Sequence, residues 1–357
     1  MSRRWILTGQ EGFEVSLKYE QDVQVPSADD LGPTEVLVKI YSASLNYREL
    51  VIARGGVNGP ISGPVVPGCD GAGVVEAVGS EVKDFQVEDR VVTYFAPRLV
   101  ESSGDNAFPG HPDVTSMLGQ GIDGVLRSKG VFPAAALVHA PTSLGWLQTA
   151  TLPCTWVTAW NSLFGIKGKE AGPGTWVLVQ GTGGVSIATL QLARAVGATV
   201  VATTSTDDKA ARLKALGATH TVNYRSNPDN WAQEARSLTP DKRGFDIVID
   251  VAGNETLAQS LTAVRVDGVV MVIGMVGGHA EPVPLFAAML HTCIVRGIIA
   301  GSRSQLRELV SFIDENKITP AIDDVVFELA EVKDAYRRLE EKRHFAKVVI
   351  KINHAKV

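Results

Sequence analysis

Three cysteines, Cys69, Cys154 and Cys293, are the softest metal donors and nucleophiles this chain can offer. One of them stands in "GCDGAGVV", residues 68–75, where a thiol and the carboxylate of Asp70 adjoin between glycines. Such a pair could serve a metal, a thiolate nucleophile or a packed turn. A nucleophile needs a lowered pKa, and no histidine or basic residue lies beside Cys69 in sequence to lower it. The cysteines form no CxxC pair and are too far apart to suggest a disulfide framework. The packed turn is the expected outcome, with Asp70 hydrogen-bonded inside its own domain.

A second stretch points to a ligand. Residues 175–194 read "TWVLVQGTGGVSIATLQLAR", an apolar strand, a Gly-x-Gly-Gly turn and a helix. Gly181 and Gly183 are expected to adopt backbone conformations closed to other residues and to let the chain approach a pyrophosphate, which then rests on the helix N-terminus. Thr182, Gly184 and Val185 complete that turn, and Ser186 replaces the third glycine of the usual fingerprint while staying small enough for close helix packing. Gly274, which closes "GVVMVIG", is assigned to the same cofactor set.

About 20 residues beyond the glycines, a carboxylate would hold the ribose hydroxyls of NAD. This chain has Thr203, Thr204 and Ser205 there, with Lys209 one helical turn on. Hydroxyls and an ammonium suit a 2′-phosphate, so NADPH is favoured over NADH. The alternatives are a helix N-cap at Ser205 and a solvated helix lysine at Lys209.

These residues need elements to position them. With 357 residues the chain exceeds one ordinary core, so two domains are expected. "EVLVKIYSAS", "GAGVVEAVG" and "DRVVTYFAP" read as short strands of an irregular, antiparallel, barrel-like domain. Residues 97–124, polar and rich in Gly and Pro, read as a long loop, either a substrate-facing lid or a surface insertion. From about residue 145, strands such as "TVVATTS" and "FDIVIDVAG" alternate with helices, as in a parallel sheet covered on both faces. "SQLRELVSFIDEN" and "VKDAYRRLEE" read as helices and "AKVVIKI" as a last strand that returns to the first domain.

Charge and composition exclude several classes. The formal charge is −5, with no like-charge run that would mark a nucleic-acid or membrane surface. There is neither a sustained apolar h-region at the N-terminus nor a stretch of about 18 apolar residues. A small-molecule substrate and a reducing, cytoplasmic setting are expected.

The chain resembles the zinc-independent branch of the medium-chain dehydrogenase/reductase superfamily, the quinone oxidoreductase and enoyl reductase type. "GPTEVLVKIYSASLNYREL", "VPGCDGAGVVEAVGSEVKDFQVEDRVV", "ATLPCTWVTAWNSLF", "VLVQGTGGVSIATLQLAR", "LKALGATHTVNY" and "HFAKVVI" carry the likeness over nearly the whole length. It implies an α/β protein in two parts. A GroES-like β-barrel catalytic domain takes residues 1–150 plus 300–357, and a Rossmann doubly wound parallel sheet that binds NADP takes 151–299, with an active cleft where they meet. It also implies Tyr224 near the 2′-phosphate, Lys347 near the cofactor, and a homodimer through an edge strand around "CIVRGIIAG". A strand-end aromatic and a solvent-facing lysine are the plain alternatives for Tyr224 and Lys347.

Zinc-dependent members of the superfamily hold catalytic zinc at positions that resemble Asn46, Cys69 and Cys154 here. An amide is a poor zinc donor beside thiolate or imidazole, and the four-cysteine structural-zinc lobe is missing, so no metal is expected. Without a Lewis acid the acceptor must already be activated by conjugation, which favours enones, enoyl groups and quinones over simple alcohols. Asn46 and Tyr47 are the candidate hydrogen-bond donors to its carbonyl. Tyr94, Phe95, Trp156, Trp160, Phe286 and Met289 are candidates to line an apolar pocket. The expected activity is NADPH-dependent reduction of an activated C=C bond or a quinone. The alternatives are a zinc-type alcohol dehydrogenase and a non-catalytic NADPH-binding sensor or structural protein.

Overall fold

In a computed structural model, residues 2–56, 59–274 and 280–354 are described. The chain divides into two compact units, Met1–Val157 with Gly301–Val357, and Thr158–Ala300. The second unit is built on six strands. Their runs are apolar almost throughout because helices cover both faces, and Val177, Leu178, Val179, Val200, Val201 and Ile249 are fully buried.

All five pairings in this sheet are parallel. The order is His220–Asn223, Thr199–Thr204, Trp176–Gln180, Phe245–Asp250, Val264–Val272, Ile294–Gly297. Trp176–Gln180 thus lies in the middle, flanked by the strand that follows it on one side and Phe245–Asp250 on the other. The sequence of connections reverses at this point, and open parallel sheets bind ligands where it does so. The glycine turn leaves the C-terminal end of this central strand and enters the helix Gly184–Ala195.

The first unit holds a seven-stranded sheet in which Glu35–Leu45 is the hub. It pairs antiparallel with Asp70–Val78, Lys129–Pro133 and Lys347–Lys351. The last of these brings residues from the two ends of the chain into one ladder, with Val348 opposite Leu45. The helices Arg303–Asn316 and Val332–Glu340 belong to this unit, and a two-stranded sheet of Ser2–Leu7 and Leu17–Val23 completes it.

Residues 97–124 correct the expectation of an open loop. Pro97–Ser103 is helical, His111–Ser116 forms a 3-10 helix, and Met117, Leu118 and Gln120 are buried. The segment packs on the "GCDG" turn. A Cβ on Gly124 would stand 1.9 Å from the Gly68 carbonyl oxygen, and one on Gly119 2.7 Å from the Gly68 nitrogen. The glycines that looked like loop composition are therefore close-approach positions between two backbones. Among the described residues, no helix is long and apolar enough to cross a membrane.

Candidate active site

The dinucleotide turn is built by two different uses of glycine. Gly181 has φ +73°, a left-handed conformation that side chains rarely adopt. Its N–H donates to the Thr203 carbonyl oxygen at 3.0 Å, which ties the turn to the next strand. Gly183 departs from expectation, because it has ordinary extended geometry, φ −78° and ψ 173°. What matters there is the missing side chain, since a Cβ would meet nothing within 4 Å. Gly183 caps the helix that begins at Gly184, with Val185 in its first turn, so unpaired backbone N–H groups face the turn. Thr182 is buried beside them. Ser186 is buried too, and its Oγ donates to the Gln180 carbonyl at 2.7 Å, fastening helix to strand where a third glycine was expected.

At the end of Thr199–Thr204 the sheet gathers the residues expected to read the ribose. Thr204 lies opposite Asn223, and its carbonyl accepts the Tyr224 N–H at 3.0 Å. The cap of the following helix is Thr206, not Ser205: the Thr206 Oγ1 accepts the Lys209 N–H at 3.3 Å. Ser205 therefore has no capping role. Partial burial lowers the Lys209 pKa below its ordinary value, and the charges of Arg225 and Arg212 lower it further. Gly274 follows the strand Val264–Val272 by two residues.

In the first unit, Asn46, Cys69, Asp70 and Lys347 form one buried group. Strand pairing explains the meeting: Asp70 lies opposite Ser44 on one side of the hub strand, and Lys347 enters on the other. Lys347 is 2% exposed, which excludes the solvent-facing alternative. Its Nζ donates to the Leu45 carbonyl at 2.8 Å, to Asn46 Oδ1, and to Asp70 Oδ2 at 3.1 Å. Asp70 Oδ2 also accepts the Ser44 hydroxyl at 2.9 Å. Asn46 Nδ2 contacts Cys69 Sγ at 3.7 Å. The Asn46 amide is thus engaged at both ends within the protein, while Tyr47, the next residue, is half-buried.

Asn46 also starts the helix Tyr47–Arg54, and its N–H donates to Glu49 Oε2 at 2.7 Å. Burial raises the Glu49 pKa above the usual carboxylate range despite Arg48, whose Nη1 lies 3.3 Å from Glu49 Oε1. The Cys69 thiol is pushed well up, first by its hydrogen bond with Cys154 and then by burial. A thiol held protonated in this way is a weak nucleophile. Among the described residues, no group of three or more His, Cys, Asp or Glu side chains is placed to hold a metal ion.

Residues 32–142 match the family model described as alcohol dehydrogenase GroES-like domain, and residues 184–315 match the one described as zinc-binding dehydrogenase. A zinc-type alcohol dehydrogenase-like protein of Schizosaccharomyces pombe is 42% identical, over 99% of this chain and all of its own. The chain belongs to the medium-chain dehydrogenase/reductase superfamily. Solved structures agree. One described as an NAD-dependent alcohol dehydrogenase is 32% identical, with a TM-score of 0.85 over 98% of this chain and 100% of its own. A quinone oxidoreductase of Pseudomonas syringae is 27% identical, with a TM-score of 0.78 over 98% of this chain and 100% of its own.

As a superfamily member the protein is an oxidoreductase, and its second unit has the Rossmann-like parallel sheet that accompanies nicotinamide dinucleotides. The pocket candidates divide. Tyr94, Phe95 and Trp156 are core, and the Tyr94 hydroxyl donates to the Gly301 carbonyl at 3.1 Å. Trp160 is half-buried against Phe164 at 4.5 Å. Phe286 and Met289 are about 60% exposed. Sequence reasoning did not single out Arg48, Glu49 or Arg225. The first two lie within the quoted "NYREL", and the third directly follows Tyr224.

Proposed function

We propose that the protein is an NADPH-dependent reductase that transfers hydride to an activated C=C bond, as in an enone or enoyl group, or to a quinone, without zinc. One observation carries the zinc-independent part. The position that resembles the first zinc ligand is Asn46, whose carbonyl oxygen accepts from the Lys347 ammonium. An ammonium already occupies one lone pair of the single oxygen this residue could offer a metal. The remaining two donors are thiols, fewer than the three protein ligands a catalytic zinc ordinarily takes, so the residues present do not fit catalytic zinc.

For the dinucleotide the residues do fit. Gly181, Thr182, Gly183, Gly184 and Val185 would take the pyrophosphate on backbone N–H groups, with Gly274 nearby in the same set. Thr204, Ser205, Lys209 and Tyr224 would surround the 2′-phosphate, and Arg225 adds to the positive charge there. When bound, NADPH supplies a hydride. The chain's own task is to bind the acceptor, keep water out and stabilise charge on its carbonyl oxygen, with Tyr47 and Asn46 as the donors proposed from the sequence.

The relative described as NAD-dependent alcohol dehydrogenase favours a second reading, oxidation of an alcohol with NAD. Stopped-flow oxidation of NADPH and NADH with a panel of enones and quinones separates the two, run beside alcohol oxidation and metal analysis. We expect NADPH to be preferred, and Lys209→Ala combined with Arg225→Ala to reduce that preference at least tenfold. Alcohol turnover that depends on stoichiometric zinc would overturn the reading. The three free cysteines fit a reducing, cytoplasmic compartment. A homodimer belongs to the same proposal, through the edge strand Ile294–Gly297.

A further inference from the structure

Arg48 is the buried charge that the reading above does not use. Its guanidinium pairs with Glu49, Nη1 to Oε1 at 3.3 Å. Nε and Nη2 are buried and have no hydrogen-bond partner among the described residues. A guanidinium cannot shed its proton, and a buried N–H left unmet costs about 1–3 kcal/mol, more when charged. Two unmet donors on one buried cation therefore call for a ligand.

Which ligand follows from covalent geometry. Nε–H and the nearer Nη2–H lie on the same edge of the planar group and point the same way, forming the side-on fork that grips an oxyanion. Glu49 occupies the other end and fixes the plane. Burial works against its charge and Glu49 favours it, and the group stands beside Cys69 and Cys154. Those are the positions that resemble zinc ligands in the metal-dependent branch.

We propose that the Nε/Nη2 fork of Arg48 is an oxyanion seat for the carbonyl oxygen of the acceptor, a fixed organic cation doing what a metal does elsewhere in the superfamily. The proposal rests on the reductase reading. With NADPH as the reductant of that reading, hydride would form a C–H bond at the β-carbon, and the displaced C=C pair would move to join the α-carbon to the carbonyl carbon. The carbonyl pair then resides on oxygen as an enolate, which the fork stabilises. A solvent proton finally bonds the α-carbon, restoring the carbonyl and leaving a saturated product and an oxidised nicotinamide. For a quinone the same oxygen becomes that of the hydroquinone. Low dielectric around the fork strengthens its hold on the charged oxygen more than on the neutral carbonyl, and only that difference accelerates the reaction.

The test compares the full-length protein with Arg48→Met and Arg48→Lys, with crotonate as a stable, planar oxyanion probe. Calorimetric titration should show crotonate binding to the parent, at least tenfold weaker binding to R48M, and weaker binding to R48K as well, because an ammonium lacks the fork. Enone turnover should fall at least a hundredfold in kcat for R48M with the KM for NADPH unchanged, and guanidinium ion added to the solution should restore part of it. Parent-like crotonate affinity in R48M, or no binding by the parent, would overturn the proposal. Should R48M fail to fold, R48K decides on the same titration. Arg48-dependent crotonate binding without turnover of any enone or quinone would sink the reductase reading and leave the oxyanion seat standing.

Discussion

Lys347 binds together residues 302 positions apart, since its ammonium bonds Leu45 and Asn46 near the start of the chain from a strand near its end. Removing one member of a buried ion pair leaves the other charged and unpaired, which costs about 3–5 kcal/mol. Lys347→Met should therefore lower the urea midpoint sharply, and Lys347→Met combined with Asp70→Asn should recover part of the loss because no lone charge remains. If the resemblance is right that Lys347 serves the cofactor, NADPH affinity will fall in both variants; calorimetry with NADPH makes the distinction. At this scale residue types were legible in the sequence and their partners were not. Asn46 as a weak metal donor and Asp70 as a hydrogen-bonded carboxylate were readable because they depend on residue chemistry alone. Arg48 was not, because a basic residue in the first turn of a helix looks the same whether its guanidinium faces water or is buried against Glu49. Only the fold shows that Nε and Nη2 have no partner among the described residues.

The glycine turn shows how an element can be correctly anticipated for a partly wrong reason. Strand, turn and helix fall where periodicity placed them, but only Gly181 uses a backbone conformation reserved for glycine, while Gly183 simply leaves room. The two positions should respond differently to the same change. Gly181→Ala forces a side chain into a left-handed conformation and should cost about 1 kcal/mol or more of stability. Gly183→Ala meets no atom in the chain, so its thermal midpoint should match the parent while NADPH affinity drops at least tenfold as the methyl meets the pyrophosphate. Thermal melts with and without NADPH read both effects, and unchanged cofactor binding in G183A would remove the pyrophosphate from this turn. Residues 97–124 are the opposite case. Their Gly and Pro content reads as loop, yet Gly119 and Gly124 are there to let two backbones touch at Gly68. Such long-range closeness leaves no periodic trace in sequence.

For the whole molecule, the alternation of strands and helices after residue 145 was the clearest signal. A parallel sheet buried on both faces must be written in unbroken apolar runs, so its strands announce themselves. The sheet ends at Ile294–Gly297, which pairs with Val264–Val272 on one side and with no other strand among the described residues. An open edge invites another strand. Just before it, Leu285, Phe286, Met289 and Leu290 are between 61% and 82% exposed, four large apolar side chains within six residues of chain. Phe286 and Met289 had been expected to line a pocket. Their exposure next to an open edge suits a second copy of the chain, whose identical edge can pair antiparallel about a two-fold axis and cover both apolar sets at once. Light scattering coupled to gel filtration should then give twice the mass of one chain. Phe286→Asp with Leu290→Asp should halve it with little change in far-ultraviolet circular dichroism, because neither side chain supports its own unit's core. A parent that runs as a monomer at micromolar concentration would leave the edge and its apolar neighbours without a function in assembly.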